Sequence, residues 1–348
     1  MTTNLEMAMT IRQAKNILDK VIARGDTSVR VFLHSSPGIG KSSLVKQVSN
    51  KYKLPVIDLR LSTIEATDLC GIPYVYQGEQ KFSVPDWFPL DPNSKGIIFL
   101  DELSNASIEK QQAAYRLVLD REIQNNRKLP DGWFVIAAGN LKTDQTGAKA
   151  VVPALANRFS THLTIKPNLD DFTAYAVDHK LNQKVVGFLN FSPSSLYQAP
   201  TPNSMGFPSP RSWEQVSNLM SFGFEDDEFI NVIGGCVGFA KTIEFLAYLK
   251  YYEKLPDFQE ILNGSKYTVP MNDMGLLFAV TTSVMYLMME NHQNVPKIRN
   301  LSHILEQLSD EFLILVYKTI AQTKNVEMIL NVVKATNDSY DRIKHYIK

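Results

Sequence analysis

Residues 31–43 read V-F-L-H-S-S-P-G-I-G-K-S-S. A β-branched and aromatic run (Val29, Val31, Phe32, Leu33) ends in a turn of Ser, Pro and Gly, and Leu44, Val45 and Val48 then follow at helical spacing. The pattern predicts strand, glycine loop and helix in succession, which is the context a phosphate-binding loop requires. In such a loop Ser36, Pro37, Gly38, Ile39, Gly40, Lys41, Ser42 and Ser43 would surround phosphate with backbone N–H groups at the positive end of a helix. Lys41 would reach the β/γ oxygens and the Ser42 hydroxyl would ligate Mg²⁺. The strict pattern G-x-x-x-x-G-K-S/T begins with glycine, and here that position is Ser35.

The chain around this loop is 348 residues long and 44% hydrophobic, enough for one large or two medium domains with real cores. Lys+Arg and Asp+Glu both number 36, so no whole-protein field favours nucleic acid or an anionic membrane. Cys70 and Cys236 lie far apart, with no Cys-x-x-Cys or neighbouring histidine, which fits a reducing compartment and offers no metal framework. The first ten residues carry Glu6 and lack a basic-then-apolar leader pattern. The longest uncharged apolar segment, 275–289, falls short of the roughly 18 residues of a spanning helix and is expected as a buried core helix. A cytoplasmic protein with no membrane partner is the expectation.

Periodicity predicts a helix over 4–24 and strands near 54–59, 97–100, 133–139 and 161–165. Apolar alternation across Gln77-Gly78-Glu79 predicts a β-hairpin within 71–84, and 124–132 is a second polar, turn-rich stretch. Beyond Pro167 only helical patterns recur, among them 212–222, 226–250, 272–291, 297–308, 309–323 and 325–346. The expected organisation is an α/β nucleotide-binding domain over 1–190, a Pro-rich linker over 191–210, and a helical lid and extension over 211–348.

Four further positions carry chemistry. The strand G-I-I-F-L ends in Asp101-Glu102, delivering two carboxylates to the sheet edge where ligands of open α/β sheets bind. Asp101 is placed to hold Mg²⁺ through water and Glu102 to polarise the attacking water. Asn140 ends the strand of I-A-A-G-N, where an amide can orient that water or meet the γ-phosphate. Arg158 lies in A-L-A-N-R-F just before the last strand, and Arg211 opens the helical part in S-P-R-S-W.

Taken in order, these segments resemble the AAA+ ATPases, and within them the MoxR-like branch related to magnesium-chelatase subunits. S-P-G-I-G-K-S is similar to Walker A, I-I-F-L-D-E to Walker B, A-A-G-N to sensor 1, A-L-A-N-R-F to the arginine-finger segment and S-P-R-S-W to the start of sensor 2. E-A-T-D-L-C-G-I-P resembles the segment where this branch inserts a hairpin into its second helix, and 121–132 its second hairpin. The resemblance covers about residues 10–250. It implies a three-layer α/β/α domain with a five-stranded parallel sheet and an all-α lid, binding ATP and Mg²⁺. It further implies a homo-oligomeric ring, usually hexameric, in which Arg158 acts on a neighbour's γ-phosphate; an arginine supplied in trans is worth about 10³–10⁵ in rate in GTPases. Whether Arg211 acts in cis or in trans stays open.

Two functions fit that resemblance. The first is a chaperone-like ATPase that remodels or activates a separate protein, for which a partner carrying a von Willebrand factor A domain is the family's usual companion. The alternative is a motor or loader gripping DNA or RNA with its hairpins. Arg127 and Lys128 favour the second, whereas zero net charge and the Glu79/Lys81 balance favour the first. Tyr248, Tyr251 and Tyr252 with Lys250 and Lys254 read as a half-buried helix end before a base-stacking surface. The methionines at 271, 274, 285, 288 and 289 read as core filling before an adaptable partner surface.

Overall fold

The computed structural model describes residues 8–141, 151–201 and 204–347. Its contacts group into two units, one of 1–167 with 199–202 and one of 168–198 with 203–348.

In the first unit the apolar runs become strands: Val31–Ser35 (β1), Val56–Arg60 (β2), Lys95–Asp101 (β5), Gly132–Gly139 (β8) and Thr161–Ile165 (β9). They form one parallel five-stranded sheet in the order β2-β5-β8-β1-β9. The interior strands β5 and β8 are buried along nearly their whole length, which is why they read as unbroken apolar runs without alternation. The helices Ile11–Arg24 (α1), Lys41–Tyr52 (α2), Ala66–Cys70 (α3), Ile108–Leu119 (α4) and Pro153–Ala156 (α5) complete this unit. Thr10 closes a capping box with Gln13, so α1 begins at Ile11; Met7, counted in the expected helix, lies outside the described residues.

The expected hairpin is present as Pro73–Tyr76 (β3) paired antiparallel with Glu79–Phe82 (β4) across Gln77-Gly78, both with positive φ. Its base requires a glycine. Gly71 has φ +94, and a Cβ there would stand 2.0 Å from the Ser83 carbonyl oxygen. The second, smaller hairpin pairs Glu122–Ile123 (β6) with Arg127–Lys128 (β7). Arg121 fastens its base by donating to the carbonyls of Thr27, Pro130 and Trp133.

The second unit holds helices only among its described elements: Leu169–Asp178 (α6), Gln183–Phe191 (α7), Pro210–Leu219 (α8), Asp226–Val237 (α9), Phe239–Leu249 (α10), Phe258–Leu262 (α11), Met274–Glu290 (α12), Val295–Gln307 (α13), Asp310–Gln322 (α14), Val326–Ala335 (α15) and Asn337–Ile343 (α16), with short 3₁₀ turns. Phe172, Val185 and Phe188 of α6 and α7 share a core with Trp213, Phe245 and Tyr248, so these two helices pack with the second unit, although they precede the Pro-rich stretch in sequence. Two expected helices are each broken in two. Gly238, at φ +81, separates α9 from α10, and Thr336 separates α15 from α16, its hydroxyl accepting from Tyr317 Oη at 2.7 Å. The apolar 275–289 segment is buried within α12, and no described helix is long and apolar enough to cross a membrane. Tyr248 is buried, and Met285 and Met288 fill the core, whereas Met271 and Met274 are exposed.

Candidate nucleotide site

The register of the sheet brings the chemistry together. Arg60 of β2 lies opposite Asp101 of β5, and His34 of β1 lies between Gly139 of β8 and Thr164 of β9. The carboxyl ends of β1, β5 and β8 therefore deliver Ser35, Asp101 and Asn140 to one edge, the edge from which α2 departs.

Between β1 and α2 the chain turns through Gly38 (φ +77) and Gly40 (φ +109), left-handed conformations that glycine adopts at no steric cost. A side chain at Gly40 would also press on Ile11 Cδ1, 3.2 Å from where its Cβ would lie. Lys41 opens α2 and folds back over the loop. Its ammonium donates to Ser35 O and Ser35 Oγ, both at 3.0 Å, to Ser36 O at 3.3 Å and to Asn140 Oδ1 at 2.9 Å. Ser35, where the strict pattern has glycine, is fully buried and has no positive φ, so nothing in the backbone demands glycine there. Its hydroxyl instead takes one of the lysine's hydrogen bonds.

Ser42 Oγ donates to Asp101 Oδ2 at 2.8 Å. A hydroxyl and a carboxylate at hydrogen-bond distance are the hard oxygen donors that suit Mg²⁺, which is bound through one or two such groups together with substrate phosphates and water. Asp101 is buried, and its other oxygen accepts from the Glu102 backbone N–H at 2.9 Å. Glu102 itself adopts φ +58, a left-handed conformation that costs a non-glycine residue on the order of 1 kcal/mol and is concentrated at functional sites. Its carboxylate accepts from Ser62 Oγ, which lies just past the end of β2. Asn140 is fixed through its backbone, its N–H donating to Ser104 Oγ at 2.7 Å.

Lys41, Ser42, Asp101 and Asn140 thus form one connected cluster, with Glu102 joined to it through Asp101. Arg158 is not part of that network: its guanidinium lies 4.3 Å over the Tyr115 ring and Nη1 donates to Ala154 O at 3.4 Å. Arg211, at the second position of α8 after Pro210, is exposed and belongs to the second unit.

Sequence reading missed four supporting groups. Ser62 and Ser104 each follow a strand end that the sheet register sets beside the acidic pair, and the register is the signal that would have found them. Gln111 and the pair His34/His162 carry no local motif. His34 Nε2 and His162 Nδ1 are 2.9 Å apart, and His162 Nε2 is 3.0 Å from Ala156 O. Burial, and then the neighbouring His162 and Lys41, lower His34 to about 4, so it is neutral near pH 7.

Residues 31–167 match the family described as ATPase family associated with various cellular activities (AAA). Among solved structures the chain is similar to the RuvB Holliday junction branch migration motor of Thermotoga maritima, at TM-score 0.40 and 12% identity over 73% of this chain and 74% of that one. A mutant of that RuvB gives TM-score 0.42 and 12% identity over 74% and 78%. NtrX from Brucella abortus gives TM-score 0.38 and 14% identity over 93% and 67%. No curated protein matches the chain. The match over residues 31–167, taken with the loop geometry, indicates an ATPase.

Proposed function

We propose that the protein is a MoxR-like ring ATPase that uses Mg²⁺-dependent ATP hydrolysis to remodel or activate a separate protein. The observation that carries the hydrolytic part is the Lys41 cluster: one ammonium joins the loop carbonyls to Asn140 while the adjoining Ser42 meets Asp101. In this reading the backbone of 36–43 and Lys41 bind the phosphates, and Ser42 and Asp101 hold the metal. When bound, Mg²⁺ neutralises charge on the transferring phosphoryl oxygens. Glu102 takes up a proton from the attacking water, and Asn140 orients that water. Ser62 holds the Glu102 carboxylate until the water is in place. Arg158 leaves Tyr115 to meet the γ-phosphate of a neighbouring copy, and Arg211, at the start of the helical lid, contacts phosphate on its own or the adjoining copy. A ring, hexameric by family habit, follows from the in-trans role of Arg158.

The partner reading rests on the β3–β4 hairpin. Tyr74, Val75 and Tyr76 are all exposed, at 48%, 76% and 55%, so both faces of the strand offer apolar surface. The one cation on β4, Lys81, is paired with Glu79 at 3.1 Å. An apolar, charge-balanced hairpin suits a protein surface better than a phosphate backbone. The exposed Arg127 and Lys128 of the second hairpin are what a nucleic-acid motor would use instead.

Capture with the Glu102→Gln variant in ATP tests the reading. A protein partner, such as one carrying a von Willebrand factor A domain, is expected to be retained with ATP and released with ADP. ATPase stimulation by DNA or RNA that fades as salt is raised, with no protein retained, would favour the motor instead.

A further inference from the structure

The turn that carries Arg158 is held at both ends by side chains from elsewhere in the first unit. At its start, the Val152 N–H donates to Gln111 Oε1 at 2.8 Å, and Gln111 Nε2 donates to Ala106 O at 3.2 Å; Gln111 is fully buried. At its end, Ala156 O lies 3.0 Å from His162 Nε2 and also accepts the Phe159 N–H at 3.2 Å. Phe159 is buried, its ring 4.9 Å from that of Phe32. Asn157 and Arg158 lie between Ala156 and the buried Phe159.

The hydrogen bonds fix the tautomers. Because Ala156 O can only accept, His162 must carry its proton on Nε2. In the neutral ring Nδ1 is then an acceptor, and His34 donates from its own Nε2. His34 in turn lies on Phe32, ring centroids 3.9 Å apart, and adjoins Ser35, whose carbonyl and hydroxyl hold Lys41. A relay therefore runs from the phosphate-binding strand through two imidazoles to the carbonyl beside Arg158. Neither histidine touches Ser42 or Asp101 within hydrogen-bond range, and neither has a role in the hydrolytic scheme above.

We propose that His34 and His162 are positioning residues for Arg158, fixing the turn after α5 so that the guanidinium is presented to a neighbouring copy's ATP. This rests on the reading that Arg158 acts in trans. The neutral state that burial imposes on His34 is the state the relay needs. The effect of losing it should fall on the transition state of the neighbour's site, and not on ATP binding by the subunit that carries the change.

Mixed-subunit assays test this. His162→Phe keeps a ring on the surface strand and removes the Nε2–H; His34→Phe does the same from the buried side. His34→Gln retains a donor near the Nε2 position. Both Phe variants are expected to lower kcat by about 10- to 100-fold with KM for ATP unchanged, since small misplacements of a catalytic group cost of that order, and His34→Gln should recover most of the rate. Mixed with Lys41→Ala subunits, which supply an intact arginine, His162→Phe should regain activity; mixed with Arg158→Ala subunits it should not. Equal recovery in both mixtures, a raised KM with kcat retained, or a His34→Gln variant as impaired as His34→Phe would overturn the proposal. The control mixture of Lys41→Ala with Arg158→Ala separates the two layers. Without recovery there, the in-trans role fails and the relay's purpose with it; with recovery there and no asymmetry for His162→Phe, the relay alone fails.

Discussion

Two sets of buried polar groups, one in each unit, are treated in opposite ways. In the first, Ser35, Asp101, Ser104 and Gln111 are buried and each has a named hydrogen-bond partner. In the second, the hydroxyls of Thr281, Thr282 and Ser283 lie buried on α12 with no partner among the described residues. A buried hydroxyl without a partner costs free energy, while a partnered one fixes geometry. The cluster around Lys41 is thus held by partnered polar groups. The second unit is organised by apolar packing, in which Leu301, Ile304, Leu305 and Leu313 share one core.

That contrast can be broken at several points. The largest effect should come from Lys41→Ala, which removes an ammonium facing four oxygens; ATPase turnover should fall by at least roughly 10²-fold, as for loss of a preorganised electrostatic group, while thermal unfolding changes little. Next, Leu301→Ala should destabilise the second unit by about 2–5 kcal/mol, the usual range for a buried leucine, read as a fall in urea midpoint.

Acid provides the third test. His34 is held at about 4 in the folded state against an ordinary value near 6.5, so the unfolded chain binds the extra proton first. Its contribution is present above about pH 6.5 and is lost as pH falls toward about 4, by roughly 2–3 kcal/mol. Urea titrations at pH 7 and pH 5 should show a drop in wild type that is smaller in His34→Gln; equal drops would remove His34 as the cause.

The smallest effects sharpen the comparison most, because the sign itself is expected to change. Gln111→Leu should cost about 1–3 kcal/mol, since it strands the Val152 N–H and the Ala106 carbonyl. Thr281→Val should stabilise by about 1 kcal/mol, because it deletes a buried hydroxyl that bonds nothing. Paired calorimetric scans of the two variants read both signs.

The same contrast explains what was legible in the sequence. Loops that bind phosphate use a fixed spacing because glycine, lysine and serine must meet one ligand, so residues 36–43 announce themselves, and an apolar run ending in Asp101-Glu102 does so for the same reason. The five strands are legible because each is a short apolar run closed by polar residues. Ser62, Ser104, Gln111 and the two histidines are not, since each acts through a partner at least 36 residues away. The strand register joins the serines and the histidines, and Gln111 meets Val152 from helix α4. In the second unit, periodicity finds helices but cannot see where one stops within an apolar run. Gly238 and Thr336 divide helices there through a positive φ and a tertiary hydrogen bond. The hairpin is legible from its Gln77-Gly78 turn, but the exposure of both its faces is not, because alternation predicts one buried face.

The central claim is that Glu102 activates water for ATP bound at the Lys41 loop. The most direct measurement is ATP binding and single-turnover hydrolysis by Glu102→Gln in Mg²⁺. Tight ATP binding with hydrolysis reduced by roughly 10²-fold or more is expected, as for loss of a general base; hydrolysis at the wild-type rate would contradict the assignment.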